Sequence, residues 1–306
     1  MNDELIKTKT LVLLSSILLV IWTFALFGQD PVKFERISVE QGLQQNIVMS
    51  LHQDNKGFLW IGTSDGLNRY DGYRFKLYKN DPTDPRSLPD NKIHCIYRDK
   101  SDNLWITSDG GLSKYDRDTD SFINYLHNDD DTNSLSHKEV FPLLEDSTGT
   151  LWIGTYTGGI DKFVDGKKFI HYKHNPDDPF SLSNDNVWVI HEDIHGRLWI
   201  GTDNGLNLFD RNKQTFTCFR NNPNDSNSIS HDKVYTIAED KNGALWIGTM
   251  DGLNKLEPMG PTTDRVKFTR YRFDDVPDAP EKNHVQSLLI DKKGVLWIGT
   301  YGAGLK

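Results

Sequence analysis

Two patterns in this chain hold residue types that could do chemistry. One is the run from His191 through Glu192 to His195, which fits His-Glu-x-x-His, the spacing by which a helix turns two imidazoles toward one zinc ion and holds a glutamate as general base. The other is a set of six carboxylates, Asp54, Asp99, Asp146, Asp193, Asp240 and Asp291, each standing six residues before a tryptophan. Paired carboxylates carry general acid–base chemistry and glycoside hydrolysis. Spacing argues against both readings. The histidine run overlies the end of a short apolar strand and the turn after it, with Asp193 in the slot of the repeated aspartate, so the two imidazoles do not share a helical face. Six carboxylates placed once per repeat are spread through the molecule and cannot converge on one substrate, which leaves them a structural turn role. The run from Asp129 to Glu139 has carboxylates at calcium-loop spacing but lacks the central glycine and a correctly placed glutamate, and reads as a solvated linker. No catalytic residue, metal site or cofactor is expected.

The element that positions these residues is a repeat. Trp60, Trp105, Trp152, Trp199, Trp246 and Trp297 are separated by 45, 47, 47, 47 and 51 residues, a period suited to four-stranded propeller blades. Each copy parses into a strand opened by a β-branched residue (VMSLHQ, IHCIYR, VFPLLE, VWVIHE, VYTIAE, VQSLLI), an Asp-led turn, the strand LWIGT or LWITS, a glycine-led strand such as GLNRYD, and a strand with Phe-x-x-aromatic. Three large apolar residues in succession at Leu-Trp-Ile predict a strand buried on both faces, as a blade sandwiched between neighbours would be. The glycine two residues after each tryptophan leaves room for the next blade; Thr107 replaces it in the second copy, which predicts a looser or shifted contact there.

The expected fold is therefore an all-β propeller of four-stranded antiparallel blades spanning residues 30–306. The blades fall at about 47–80, 92–128, 139–175, 186–222, 233–274 and a partial 284–306, about five and a half blades in all. Residues 33–40 match a fourth strand, and an outer strand that arrives first can close the ring by completing its last blade.

Bulk properties narrow the partners. A formal net charge of −9 without a Lys/Arg run argues against nucleic acid. Cys95 and Cys218 sit at different places in different repeats, so neither a disulfide nor zinc spacing is expected. The uncharged run from Leu11 to Phe27 behind Lys7 and Lys9 reads as an export segment within residues 1–29. At about 1.5 Å per helical residue it reaches only ~25 Å, which favours a cleaved signal peptide over a retained N-terminal anchor and places the rest outside the cytoplasm.

The motif LWIGTxDGLNxYD, the opening from Phe34 to Phe75 and the linkers NDPTDPRSL, NPDDPFSL and NPNDSNSI resemble the two-component regulator propeller repeat of bacterial hybrid sensor kinases. The resemblance covers about residues 31–306. It implies a seven-bladed propeller in the periplasmic sensor region of a receptor held in a bacterial inner membrane, followed by downstream domains of the same chain. It also implies carbohydrate breakdown products as ligands. A homodimer of the full receptor is a further expectation, and kinase activity cannot be assigned to this stretch itself.

Positions that differ between copies are free to be specialised. One is the second residue of each first strand: Met49, His94, Phe141, Trp188, Tyr235 and Gln286. The other is the fourth residue after each tryptophan: Ser64, Asp109, Tyr156, Asp203, Met250 and Tyr301. In a propeller both lie on one face around the central channel. His94, Tyr156, Trp188, Asp203, Tyr235 and Tyr301 are thus the candidate ligand-binding residues, aromatic platforms with polar groups between them suited to a sugar or similar small molecule or oligosaccharide. The rival readings are a secreted interaction scaffold and, less favoured, a propeller lyase or glycosidase.

Overall fold

A computed structural model of the chain describes residues 37–258, 266–273 and 283–306. Ser38–Lys306 forms one unit built from six small antiparallel sheets in sequence order. Blade one holds strands Val48–Gln53, Leu59–Thr63, Gly66–Tyr70 and Phe75–Tyr78. Blade two holds Ile93–Arg98, Leu104–Ser108, Gly111–Asp116 and Ser121–Tyr125, and blade three Val140–Glu145, Leu151–Thr155, Ile160–Val164 and Lys168–Tyr172. Blade four holds Val187–Glu192, Leu198–Thr202, Gly205–Asp210 and Thr215–Phe219, and blade five Val234–Glu239, Leu245–Thr249, Gly252–Leu256 and Phe268–Tyr271. Blade six has three strands, Val285–Ile290, Leu296–Thr300 and Gly304–Leu305. The first strands of successive blades lie side by side, as they do around a propeller axis.

The repeated hairpin explains itself locally. In blade three, Asp146 Oδ1 accepts from the Thr148 and Thr150 amides (2.9 and 3.0 Å) while Oδ2 accepts from Trp152 Nε1 (2.8 Å). Gly149 takes φ +83°, which the turn needs. The same aspartate-to-indole bond recurs in all six blades, from 2.8 to 3.4 Å. A buried indole needs its N–H satisfied, and the aspartate does this while closing the turn.

The cores lie between blades. Trp60 packs on Ile93, Ile96 and Leu104 of blade two, Trp152 on Val187, Ile190 and Leu198 of blade four, and Trp199 on Val234, Ile237 and Leu245 of blade five. At ~25 cal/mol per Å2 and ~200 Å2 per indole, each such contact supplies at most about 5 kcal/mol of transfer free energy. Thr107 does not loosen its interface: it is fully buried, and its hydroxyl donates to the Phe141 carbonyl of blade three at 2.8 Å. The threonine exchanges the close approach of a glycine for a cross-blade hydrogen bond.

The seam between blade six and blade one differs. Val48 and Leu51 occupy positions that in blades two to five bury against the preceding blade's tryptophan, yet they are 41% and 60% exposed, and Trp297 is only half-buried. Of the outer strand expected over 33–40, residues 33–36 lie outside the described residues. The described part is not strand: Ser38 caps a short 3-10 turn, Val39–Gln41, through a reciprocal bond with Gln41. In place of a four-stranded sixth blade, the described residues give three strands there.

Blade three carries a buried ion pair where its neighbours use asparagine or serine. Asp161 is fully buried and accepts from the Ser136 amide (2.8 Å), while His171 bridges Asp161 Oδ1 through Nδ1 (2.7 Å) and the Thr132 carbonyl through Nε2 (3.0 Å). Two acceptors suit a doubly protonated ring, and the bond to Asp161, opposed by burial, raises the His171 pKa above 6.5. A raised pKa contributes stability that is complete below 6.5 and lost as pH climbs through the folded value. The urea midpoint is therefore expected to fall between pH 6 and pH 8, with the slope shrinking in His171→Asn; an unchanged slope in that variant would contradict the assignment.

Candidate functional site

In every blade the first strand opens with a register shift against its partner, at Val48/Ser50, Ile93/Cys95, Val187/Val189, Val234/Thr236 and Val285/Ser287, and at Ile153/Thr155 seen from blade three's second strand. A bulge leaves one residue unpaired and re-aims its side chain. That residue is the variable one: Met49, His94, Phe141, Trp188, Tyr235 or Gln286. The loop residue is brought beside it by a second repeated device, in which its amide donates to the carbonyl just ahead of the first strand. Examples are Asp109 to Lys92 (3.3 Å), Tyr156 to Glu139 (3.0 Å), Asp203 to Asn186 (3.2 Å) and Tyr301 to His284 (2.9 Å).

The result is one continuous arc of rings across five blades. His94 stacks on Phe141 (centroids 4.1 Å, 24°), Phe141 meets Trp188 edge-on (5.2 Å), and Trp188 meets Tyr235 (5.7 Å). Tyr235 stacks on His284 (4.6 Å), and His284 on Tyr301 (5.3 Å). Tyr156 leans over the Phe141–Trp188 pair at 6.1 and 6.3 Å. Tyr156 and Tyr301 are exposed, in loops one residue longer (TYTGGI and TYGAGL) than the TSDGL of blade one.

Two carboxylates punctuate the arc. Asp109 meets His94 Nε2 (2.5 Å) and Lys92 Nζ (3.1 Å); burial pushes its carboxyl up, but these two partners outweigh it and the net shift is downward. Burial lowers the pKa of His94 in turn, against the pull of Asp109. Asp203 accepts from Trp188 Nε1 (2.8 Å) and Asn186 Nδ2 (2.9 Å) and pairs with Lys233 of the next blade (3.4 Å). Against its burial, those contacts hold it ionised below the ordinary carboxylate range. Trp188 is thus fixed by its indole N–H among the rings of Phe141, Tyr156 and Tyr235. Such an arrangement can stack on an apolar ring face and exchange hydrogen bonds with hydroxyls beside it.

All six sequence candidates join this arc, directly or through Phe141 and His284. Sequence comparison passed over His284, and with it Lys92, Asn186 and Lys233. These belong to a third column, the residue just before each first strand, which reads Ile47, Lys92, Glu139, Asn186, Lys233 and His284. Its variability between copies was the available signal. The two discounted patterns are located as well. His191 and Glu192 end a strand, His191 lies 3.4 Å from Glu239, and Glu192 is taken by Arg211, so the zinc spacing has no helix beneath it. The six turn aspartates each serve their own tryptophan.

Small sheets in sequence order, each tied by an aspartate–tryptophan hairpin, define a β-propeller of the repeat type. The chain belongs to the two component regulator propeller family, whose model matches residues 42–65, 87–110, 134–157, 181–204, 228–251 and 281–302. Histidine kinase P4 of Formosa agariphila is 46% identical over 55 residues, 18% of this chain and 4% of that protein. Among solved structures, the extracellular domain of BT3049 from B. thetaiotaomicron, named a hybrid two component system, is 28% identical with a TM-score of 0.53, covering 89% of this chain and 41% of that one. Virginiamycin B lyase from Staphylococcus aureus shares the fold alone, at 15% identity and a TM-score of 0.60 over 84% of this chain and 78% of the lyase. The chain spans less than half the length of the sensor proteins it matches. No helix among the described residues is long and apolar enough to cross a membrane.

Proposed function

We propose that this propeller is the extracytoplasmic ligand-sensing part of a bacterial receptor of the hybrid histidine kinase type, that the ring arc from His94 to Tyr301 is its contact surface, and that its ligands are carbohydrate-derived. The observation that supports this most is the placement of variation: residues shared by all blades build hairpins and cores, whereas the differing residues of the first strands and their neighbouring loops gather at the bulges and form one surface. Aromatic faces beside Asp109 and Asp203, each already held by a lysine, suit a ligand with alternating apolar faces and hydroxyls. The kinase named among the relatives supports a signalling role, in which binding shifts the relation of the propeller to downstream domains of the same chain. Export by residues 1–29 fits that reading.

Calorimetric titration of the full ectodomain with a panel of oligosaccharides tests it. Trp188→Ala removes the ring that touches Phe141, Tyr156 and Tyr235, and affinity is expected to fall about 30-fold or more, the effect of losing a central aromatic anchor. Tyr156→Ala is expected to weaken binding less, because that ring has one open side. Affinity unchanged in both variants would remove the arc from the binding surface.

A further inference from the structure

Three of the linkers between blades are each held by one side chain from the fourth strand of the blade they introduce. Asn124 donates to the carbonyls of Pro85 and Ser87 (3.0 and 2.7 Å), and His171 reaches the carbonyl of Thr132 (3.0 Å). Arg270 donates to the carbonyls of Ser228 and Asp225 (2.7 and 2.9 Å) and to Ser228 Oγ. These three residues occupy one register position, opposite Ser113, Asp161 and Asn254 of the third strands. In blade four that position, opposite Asn207, is Cys218. Its thiol turns to the Asn204 carbonyl (3.6 Å), and among the described residues no fourth-strand side chain bonds the linker carbonyls of Asp178, Pro179 or Ser181. A cavity of about 490 Å3 lies there instead, lined by Pro176, Asp178, Pro179, Ser181, Cys218 and Arg220 among others.

The linker does not relax to fill the space. Its internal bonds follow those of the blade-five linker, apart from the Asn227 side-chain bond to Asp225 that Phe180 cannot make. The Asn175 amide donates to Ser181 Oγ (2.9 Å) as that of Asn222 does to Ser228 Oγ (2.7 Å). Ser181 Oγ meets the Asn175 and Asp178 carbonyls (3.0 and 2.8 Å) as Ser228 Oγ meets those of Asn222 and Asp225 (3.1 and 3.0 Å). The Phe216 amide donates to Phe180 as that of Phe268 does to Asn227, both at 2.8 Å. The acceptors that grip a guanidinium in blade five are therefore present, in the same bonded frame, around an open cavity in blade four.

We propose that this cavity binds a guanidinium group brought by another molecule, in the place where blade five uses its own Arg270. A planar fork of N–H donors matches several carbonyls and a hydroxyl in fixed positions better than an ammonium does. Arg220 stands at the rim, exposed, with Nε donating to the Asn204 carbonyl (3.2 Å), and Asp178 lines the same cavity. The same chemistry is offered by a free small guanidine and by an arginine in a protein segment. Phe180, 61% exposed where the other linkers carry Arg86, Asn133 and Asn227, gives a segment an apolar neighbour to cover.

The test uses the full chain with millimolar ethylguanidinium, n-butylammonium and L-arginine, following alkylation of Cys218 by iodoacetamide with residue-resolved mass spectrometry. Ethylguanidinium and arginine are expected to slow alkylation at least fivefold, and butylammonium to leave it unchanged. Cys218→Arg is expected to abolish calorimetric binding and raise the thermal midpoint; Cys218→Met, which fills the cavity without donors, should also abolish binding. A capped Arg-Leu dipeptide separates the sources. Tighter binding than free arginine, lost in Phe180→Asn, points to a protein segment, whereas equal affinity points to a small guanidine. Equal protection by butylammonium, absence of protection, or binding retained in Cys218→Met overturns the proposal.

Discussion

Asp146→Ala is expected to destabilise the propeller by about 3–5 kcal/mol, read as a fall in the urea midpoint at pH 7. The carboxylate is fully buried. It takes the Thr148 amide and hydroxyl, the Thr150 amide, the Trp152 indole and, from blade four, the guanidinium of Arg211 at 2.5 Å. Removing it strands an indole N–H and leaves the partly buried Arg211 guanidinium with Glu192 alone at one blade interface. Burial pushes the Asp146 carboxyl up, yet these donors outweigh it and hold the pKa down at about 2. A depressed pKa contributes stability that is complete above the unfolded value of 3.8 and lost as pH falls toward 2, so the variant should also lose part of the acid slope of the parent. Asp291→Ala, in the same slot of blade six with no guanidinium partner among the described residues, should cost much less. Equal losses would show that the turn alone, without Arg211, sets the stability.

Gly201→Val is the second large effect, expected to cost about 3 kcal/mol. A Cβ at Gly201 would lie 2.6 Å from Val189 Cγ1, 2.7 Å from Val234 Cγ1 and 2.9 Å from the Val234 carbonyl oxygen. The last contact is backbone, so the first strand of blade five must move and the core under Trp199 opens with it. The residue's φ is ordinary, so the penalty arises from crowding between blades. Gly57→Val provides a contrast in mechanism: nothing lies within 4 Å of its Cβ, but φ is +88°, and its cost should come from the turn alone. A Gly201→Val protein with the parent's midpoint would mean that blades four and five separate freely.

The repeat made the blades readable. A period near 47, a β-branched start and three consecutive buried residues place four strands per copy, and blades one to five match strand for strand. The seam did not read the same way, because Phe34 and Ile37 carry the spacing of a fourth strand while Ser38 and Gln41 carry a reciprocal cap, and the cap prevails where the structure describes it. At the site, the two variable columns were visible because neighbouring positions are constant. The third was obscured because its residues precede the strand and hold the loops through their carbonyls, a contact to which side-chain identity is blind. Cys218 was dismissed for lacking a partner cysteine; its meaning came from the Asn, His and Arg in the same register of other blades, which only strand pairing brings into alignment.

Six of the described tryptophans donate their indole N–H to a turn aspartate of their own blade, and Trp188 alone donates to Asp203 at the bulge. Its emission should therefore respond to events at the arc while the other six supply a steady background. A fluorescence titration would then show a small change riding on a large constant signal, with the wavelength shift more informative than intensity. Replacing Trp188 with phenylalanine would silence that reporter while keeping an aromatic ring in place.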